Sequence, residues 1–186
     1  ALKPSVEKAG MTAFCTDLNA EVWNIVQAHP YRKKILDFFY TGSRSKKVDR
    51  WIYDVVGSAV SQILKWKPKY VGFSLFTYGS RGLCLEFCKR IKDLSPETKI
   101  IVGGAGCLES LAGPGTFAGE LRSLGLVDYH IRGDGEISLV QLLDGNTTYP
   151  GINSLDWKEL TKDELDQLPM PNYDDYTFDL YETPAL

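Results

Sequence analysis

The sequence lacks any apolar run near the roughly 20 residues that a membrane-spanning helix needs. Its opening, ALKPSVEKAG, carries no apolar stretch of the kind a secretory leader uses and reads as a polar helix. Histidine is scarce, with only His29 and His130. There are four cysteines, Cys15, Cys84, Cys88 and Cys107. Cys84 and Cys88 stand one helical turn apart, and no second pair or histidine joins them at metal spacing, which argues against a zinc site. Cys15, Cys84 and Cys88 fall in apolar settings, as small reduced core residues do, so the expected compartment is the cytoplasm. An excess of one charge is lacking too. A net charge of −3 gives no electrostatic reason to expect nucleic acid or an anionic membrane as partner. No internal repeat is visible.

What is present is a normal globular composition, 44% apolar and 24% charged over 186 residues, enough for one domain with a core. The most structured stretch is KYVGFSLFTYGSRGLCLEFCKRIKDLSPETKIIVGGAG, residues 69–106. Residues 70–75 form a short apolar strand. Cys84, Phe87, Cys88, Ile91 and Leu94 then recur at helical spacing, and Ser95–Pro96 stops that helix. A second strand over 100–102 ends in Gly103–Gly104–Ala105–Gly106. A right-handed crossover makes the two strands parallel, and parallel sheets bind ligands outside the carboxyl ends of their strands.

The remaining elements follow from the same cues. A helix covers residues 3–9 with Gly10 as its cap, and 12–16 reads as a strand. A helix runs from Ala20 behind Asp17 and Asn19 to the break at His29–Pro30, and another covers 32–40. Residues 49–65 carry the clearest amphipathic face, from Ile52 to Leu64. Residues 107–111 suggest a turn of helix, 113–115 a loop, 117–124 a helix capped by Gly125, and 128–131 a strand. Arg132–Gly133–Asp134–Gly135–Glu136 is a tight turn into a helix over 137–143, closed by Gly145. This alternation predicts an α/β fold, a doubly wound parallel sheet with helices on both faces. Residues 1–145 form that domain. Residues 146–186, rich in Asp, Pro and Tyr, read as a linker, with a short strand over 152–155 and an extended segment over 165–176. Both ends look cut: no strand precedes the first helix, and no capping signal closes the end.

Three pieces in order, VGFSLFTY (71–78), IIVGGAG (100–106) and DYHIRGDGE (128–136), followed by LPMPNYDDY, resemble the N-terminal cobalamin (B12)-binding-like domain of the B12-dependent radical SAM proteins. The resemblance covers nearly the whole chain. It implies a flavodoxin-like, five-stranded Rossmann-like sheet whose first strand is missing here, with a corrinoid over the carboxyl edge. The residues that match the family's lining loops are Ser74, Leu75, Phe76, Thr77 and Tyr78, then Gly103, Gly104, Ala105 and Gly106, then Arg132, Gly133, Asp134, Gly135 and Glu136. Glycines there would let backbone approach a flat macrocycle, and Ser74 would offer a hydroxyl. The parent would be a methyl- or group-transfer enzyme whose radical SAM barrel binds a 4Fe-4S cluster and S-adenosylmethionine. The chain departs from the family in two places. The cluster motif C-x-x-x-C-x-x-C is absent, so this chain alone carries no radical chemistry and no catalytic residue. The cobalt-ligating D-x-H-x-x-G motif is absent from its place after a first strand; DYHIRG (128–133) has the same pattern but puts His130 inside the strand predicted over 128–131, so no metal ligand can be named.

Blander readings stand beside these. Gly103–Gly106 makes a tight turn as readily as a phosphate loop, and Glu109 breaks the G-x-G-x-x-G spacing of a dinucleotide site. Ser74 can bond neighbouring backbone, and Asp134 and Glu136 suit the start of a helix. The competing class is a flavodoxin-like docking module that binds no cofactor. A nucleotide-binding enzyme is a third class. A sheet short of a strand also invites one from a second copy, giving a homodimer.

Overall fold

Strands β1 (Tyr70–Ser74), β2 (Lys99–Gly103) and β3 (Tyr129–Ile131) form a parallel sheet in the order β1-β2-β3. The structure, a computed structural model, describes residues 2–108 and 116–181. Around the sheet lie α1 (Leu2–Lys8), α2 (Leu18–Gln27), α3 (Arg32–Thr41), α4 (Lys46–Lys65), α5 (Arg81–Leu94), α6 (Phe117–Ser123), α7 (Gly135–Leu143) and α8 (Lys162–Asp166). The expected α/β class with a parallel sheet is what forms. No described helix is long and apolar enough to cross a membrane.

Strand alternation sorts the core into two layers. Val71, Ile100 and Val102 point toward α4 and α5, where they meet Ile52, Val56, Val60, Phe87, Cys88 and Ile91. Ile101 and Ile131 point the other way, toward Leu142 of α7 and Ile152. Each large side chain buried here contributes about 1.5–3 kcal/mol relative to exposure. The helix α4 begins three residues earlier than its apolar face suggests, because the Ser45 hydroxyl accepts from the Val48 N–H and caps it.

The far, amino-terminal end of the sheet is held by Asp128. Its carboxylate accepts from Lys92 Nζ at 2.7 Å, Lys99 Nζ at 2.9 Å and the Ile100 N–H at 2.8 Å. Burial pushes this carboxyl up, but the bonds from Lys92, Ile100 and Lys99 outweigh it and hold the pKa below the ordinary aspartate value. A depressed folded pKa stabilises the fold above the unfolded value of about 3.9, and that contribution is lost as pH falls through the folded value. Asp128→Asn is expected to cost about 1–3 kcal/mol at neutral pH and much less in acid, read by urea titration at several pH values.

On the outer side of β1 the backbone makes no hydrogen bond among the described residues. Lys99 N–H bonds the Lys69 carbonyl, and Leu75 N–H bonds the Gly103 carbonyl. Odd-numbered residues therefore face β2, and Tyr70, Gly72 and Ser74 turn their N–H and C=O groups outward. No strand among the described residues pairs with that edge. Beyond β3, the chain returns to the sheet: Ile152 bridges Ile131, and Lys158 bridges Gly133. The tail then folds back on the first two helices. Asp175 accepts from Lys3 Nζ at 2.6 Å and from the Cys15 N–H at 2.8 Å, and Tyr181 donates to Asp17 at 2.5 Å.

Four expectations are corrected. Residues 12–16 form no strand; their backbone finds the Asp175 carboxylate instead of a sheet partner. Cys15 is consequently exposed rather than in the core. Residues 152–155 make only the bridge at Ile152, because Gly151 (φ +83°) and Asn153 (φ +51°) break the extended backbone on both sides. The segment 165–176 starts inside α8, whose capping box joins Thr161 and Glu164. The expected elements at 109–111 and 113–115, and the Glu109 spacing argument, lie outside the described residues.

Candidate functional site

The carboxyl edge gathers all three segments singled out in the sequence. Ser74 pairs with Gly103, and Gly103 pairs with Ile131, so the exits of the three strands lie side by side. The first two loops are tied by backbone: Leu75 N–H to Gly103 O and Gly106 N–H to Leu75 O, both at 2.8 Å. Within them the residues divide. Ser74, Phe76, Thr77, Tyr78, Gly104 and Ala105 are exposed, Phe76 at 87%. Leu75 and Gly106 are buried beneath the edge, and Gly103 is half-buried. An open groove of about 3130 Å³ reaches this edge, lined there by Ser74, Phe76, Thr77, Gly104, Asp134 and Glu136.

Gly104 has an internal reason to be glycine. Its φ is +89°, and a Cβ would stand 2.4 Å from the Leu75 carbonyl oxygen. The same is true of Gly133 in the third loop, with φ +95° and a Cβ position 2.1 Å from the Lys158 oxygen. These glycines let one loop pass close against another; that contact is within the protein. Asp134 stands at the start of α7 but does not cap it through its side chain. Its N–H bonds the Lys158 carbonyl at 2.7 Å, and its carboxylate accepts from the Leu160 N–H at 2.9 Å. Glu136 lies in the first turn of α7, where its charge meets the helix dipole. Arg132 N–H bonds the Gly151 carbonyl.

The sulfur and imidazole groups belong to the frame. Cys84 and Cys88 are buried, their Sγ atoms 4.0 Å apart, and that contact together with burial pushes the Cys84 thiol well up. Burial raises Cys107 to about 12, so its thiol stays protonated at neutral pH. His130 Nε2 bonds the Ser154 carbonyl at 3.1 Å, and burial lowers its pKa, keeping the ring neutral. His29 accepts from the Tyr31 N–H in the α2–α3 turn. Among the described residues no group of three His, Cys, Asp or Glu could hold a metal ion.

Sequence reasoning missed Arg81. It opens α5 directly behind the β1 exit, is 3% exposed, and donates from Nε to the Gly106 carbonyl at 2.6 Å. The signal was readable: a cation in the first helical turn opposes the helix dipole and needs a reason to be there. No protein-family profile matches the chain, and searches of curated proteins and of solved structures likewise give no match.

Proposed function

We propose that this chain is a flavodoxin-like, cobalamin-binding-like unit that holds a corrinoid at the carboxyl edge of its sheet on behalf of a radical SAM enzyme. One observation carries the reading. The three segments that resemble the family's lining loops converge on one edge, with Ser74, Phe76, Thr77 and Gly104 exposed at an open groove. The sequential order β1-β2-β3 is compatible with the run of three consecutive strands on one side of a flavodoxin-like sheet. In that arrangement the free outer edge of β1 is where a further strand would pair.

The fit is one of shape. Gly104 and Ala105 present a low rim that a flat ring can approach, Phe76 supplies an exposed apolar plate, and Ser74 and Thr77 supply hydroxyls for polar substituents. His29 and His130 are both engaged elsewhere, so the chain would cradle the corrin without imidazole ligation. The cofactor would supply the cobalt-based group transfer, and the chain would supply position. With no C-x-x-x-C-x-x-C motif in the sequence, cluster and S-adenosylmethionine chemistry would belong to a barrel outside it.

The test is a spectral titration of the chain with hydroxocobalamin. A saturable shift is expected, weakened at least about tenfold by Ser74→Trp, whose bulk stands at an exposed position and leaves the fold intact. The unpaired edge of β1 favours a second reading, a docking module that takes an extended segment by strand addition. A spectrum unchanged by the chain would favour that module.

A further inference from the structure

Arg81 is the one Asp, Glu, Lys or Arg side chain that is buried among the described residues. A guanidinium keeps its charge at every working pH, and a buried charge without a partner is costly. Here the group is held on three sides. Its Nε donates to the Gly106 carbonyl, and its faces lie against the rings of Tyr78, 4.4 Å away, and Phe117, 5.1 Å away. Both remaining nitrogens, Nη1 and Nη2, are buried and have no hydrogen-bond partner among the described residues. The planar fork is thus fixed in orientation, with both outer nitrogens lacking a hydrogen-bond partner among the described residues.

The surroundings point to an anion. Arg81 is the first residue of the 14-residue helix α5, and Ser80, at the capping position, spends its hydroxyl on the Thr77 carbonyl at 2.7 Å instead of the helix. That leaves the positive end of the helix dipole without a side-chain cap, beside an unpaired cation. The side chain lines the groove that reaches the carboxyl edge. Parallel sheets receive phosphates at that edge.

We propose that Arg81 and the amino terminus of α5 form a site for a phosphoryl group, two of whose oxygens accept from Nη1 and Nη2. Such a bidentate pair matches the fork and neutralises the buried charge. The ligand is either free phosphate or the phosphate monoester of a larger molecule lying in the groove. The site stands on the surroundings of Arg81 and does not rest on the corrinoid reading.

The test uses the whole chain, with inorganic phosphate and a nucleoside 5′-monophosphate titrated against chloride at matched ionic strength. Wild-type protein is expected to show a saturable rise in Tm, about 5–10 °C at a hundredfold excess over Kd, and saturable broadening of the phosphate 31P resonance. Arg81→Met should abolish both and, without phosphate, melt no lower than wild type, because an uncompensated charge has gone. Arg81→Lys, which keeps charge but not the fork, should weaken binding at least tenfold. Tighter binding of the nucleotide identifies a phosphate ester extending into the groove; equal binding identifies free phosphate. The proposal is overturned if wild type shows no saturable response, or if Arg81→Met responds as wild type does. Should neither variant fold, the wild-type 31P titration decides alone.

Discussion

Gly133→Ala is expected to cost about 3–5 kcal/mol or to prevent folding, while Gly145→Ala costs about 1–2 kcal/mol. Both glycines have φ +95°, so the two substitutions impose the same backbone strain. They differ in surroundings. A Cβ at Gly145 meets nothing within 4 Å, whereas one at Gly133 falls 2.1 Å from the Lys158 oxygen and 2.7 Å from its nitrogen. Neither neighbour is a flexible side-chain end that could swing aside. Making room means withdrawing the Lys158 strip from the turn, and with it the Asp134–Lys158, Lys158–Arg132 and Leu160–Asp134 hydrogen bonds. Urea denaturation of the two variants reads the difference. Equal losses would mean that the strip after α7 is not packed on the turn as described.

Gly104→Ala is the second large effect, about 3–5 kcal/mol, set against Gly72→Ala, which should be neutral or stabilise by up to about 1 kcal/mol. Gly72 lies in β1 with an ordinary φ and nothing within 4 Å of its Cβ position. Alanine there removes unfolded-state freedom at no steric cost. Gly104 combines φ +89° with a Cβ position 2.4 Å from the Leu75 oxygen and 3.1 Å from the Leu75 nitrogen. The substitution would force apart the β1 and β2 exit loops, breaking the Gly106–Leu75 bond that sets the edge. Thermal melts of both variants suffice, and a Gly104→Ala protein as stable as Gly72→Ala would contradict the geometry at the carboxyl edge.

The strand–helix–strand unit was legible because its signals are local. Cys84, Phe87, Cys88 and Ile91 repeat at helical spacing and all are buried, and the apolar runs on either side became β1 and β2. The third strand and the turn after it were legible for the same reason. What the sequence hid depends on distant partners. Residues 12–16 have strand-like composition, but their fate is set by Asp175, some 160 residues away in the chain. Cys15 follows that segment into solvent. The helix α8 announced itself as Thr161-x-x-Glu164, a capping pattern short enough to be lost beside the prolines that follow. For the site, composition showed which loops were rich in glycine but not why. Gly104 and Gly133 serve loop-to-loop contact, and that is visible only when Leu75 and Lys158 are in place. Arg81 is the converse case: a cation opening a helix is a local sign, but its burial depends on Tyr78, Gly106 and Phe117.

The most direct test of the corrinoid reading is a titration of isotope-labelled chain with hydroxocobalamin, followed by backbone amide shifts. Saturable changes are expected to concentrate at residues 74–78, 103–106 and 132–136, with the far end of the sheet around Asp128 unchanged. Changes confined to the outer edge of β1, or no changes at a large excess of the corrinoid, would contradict it.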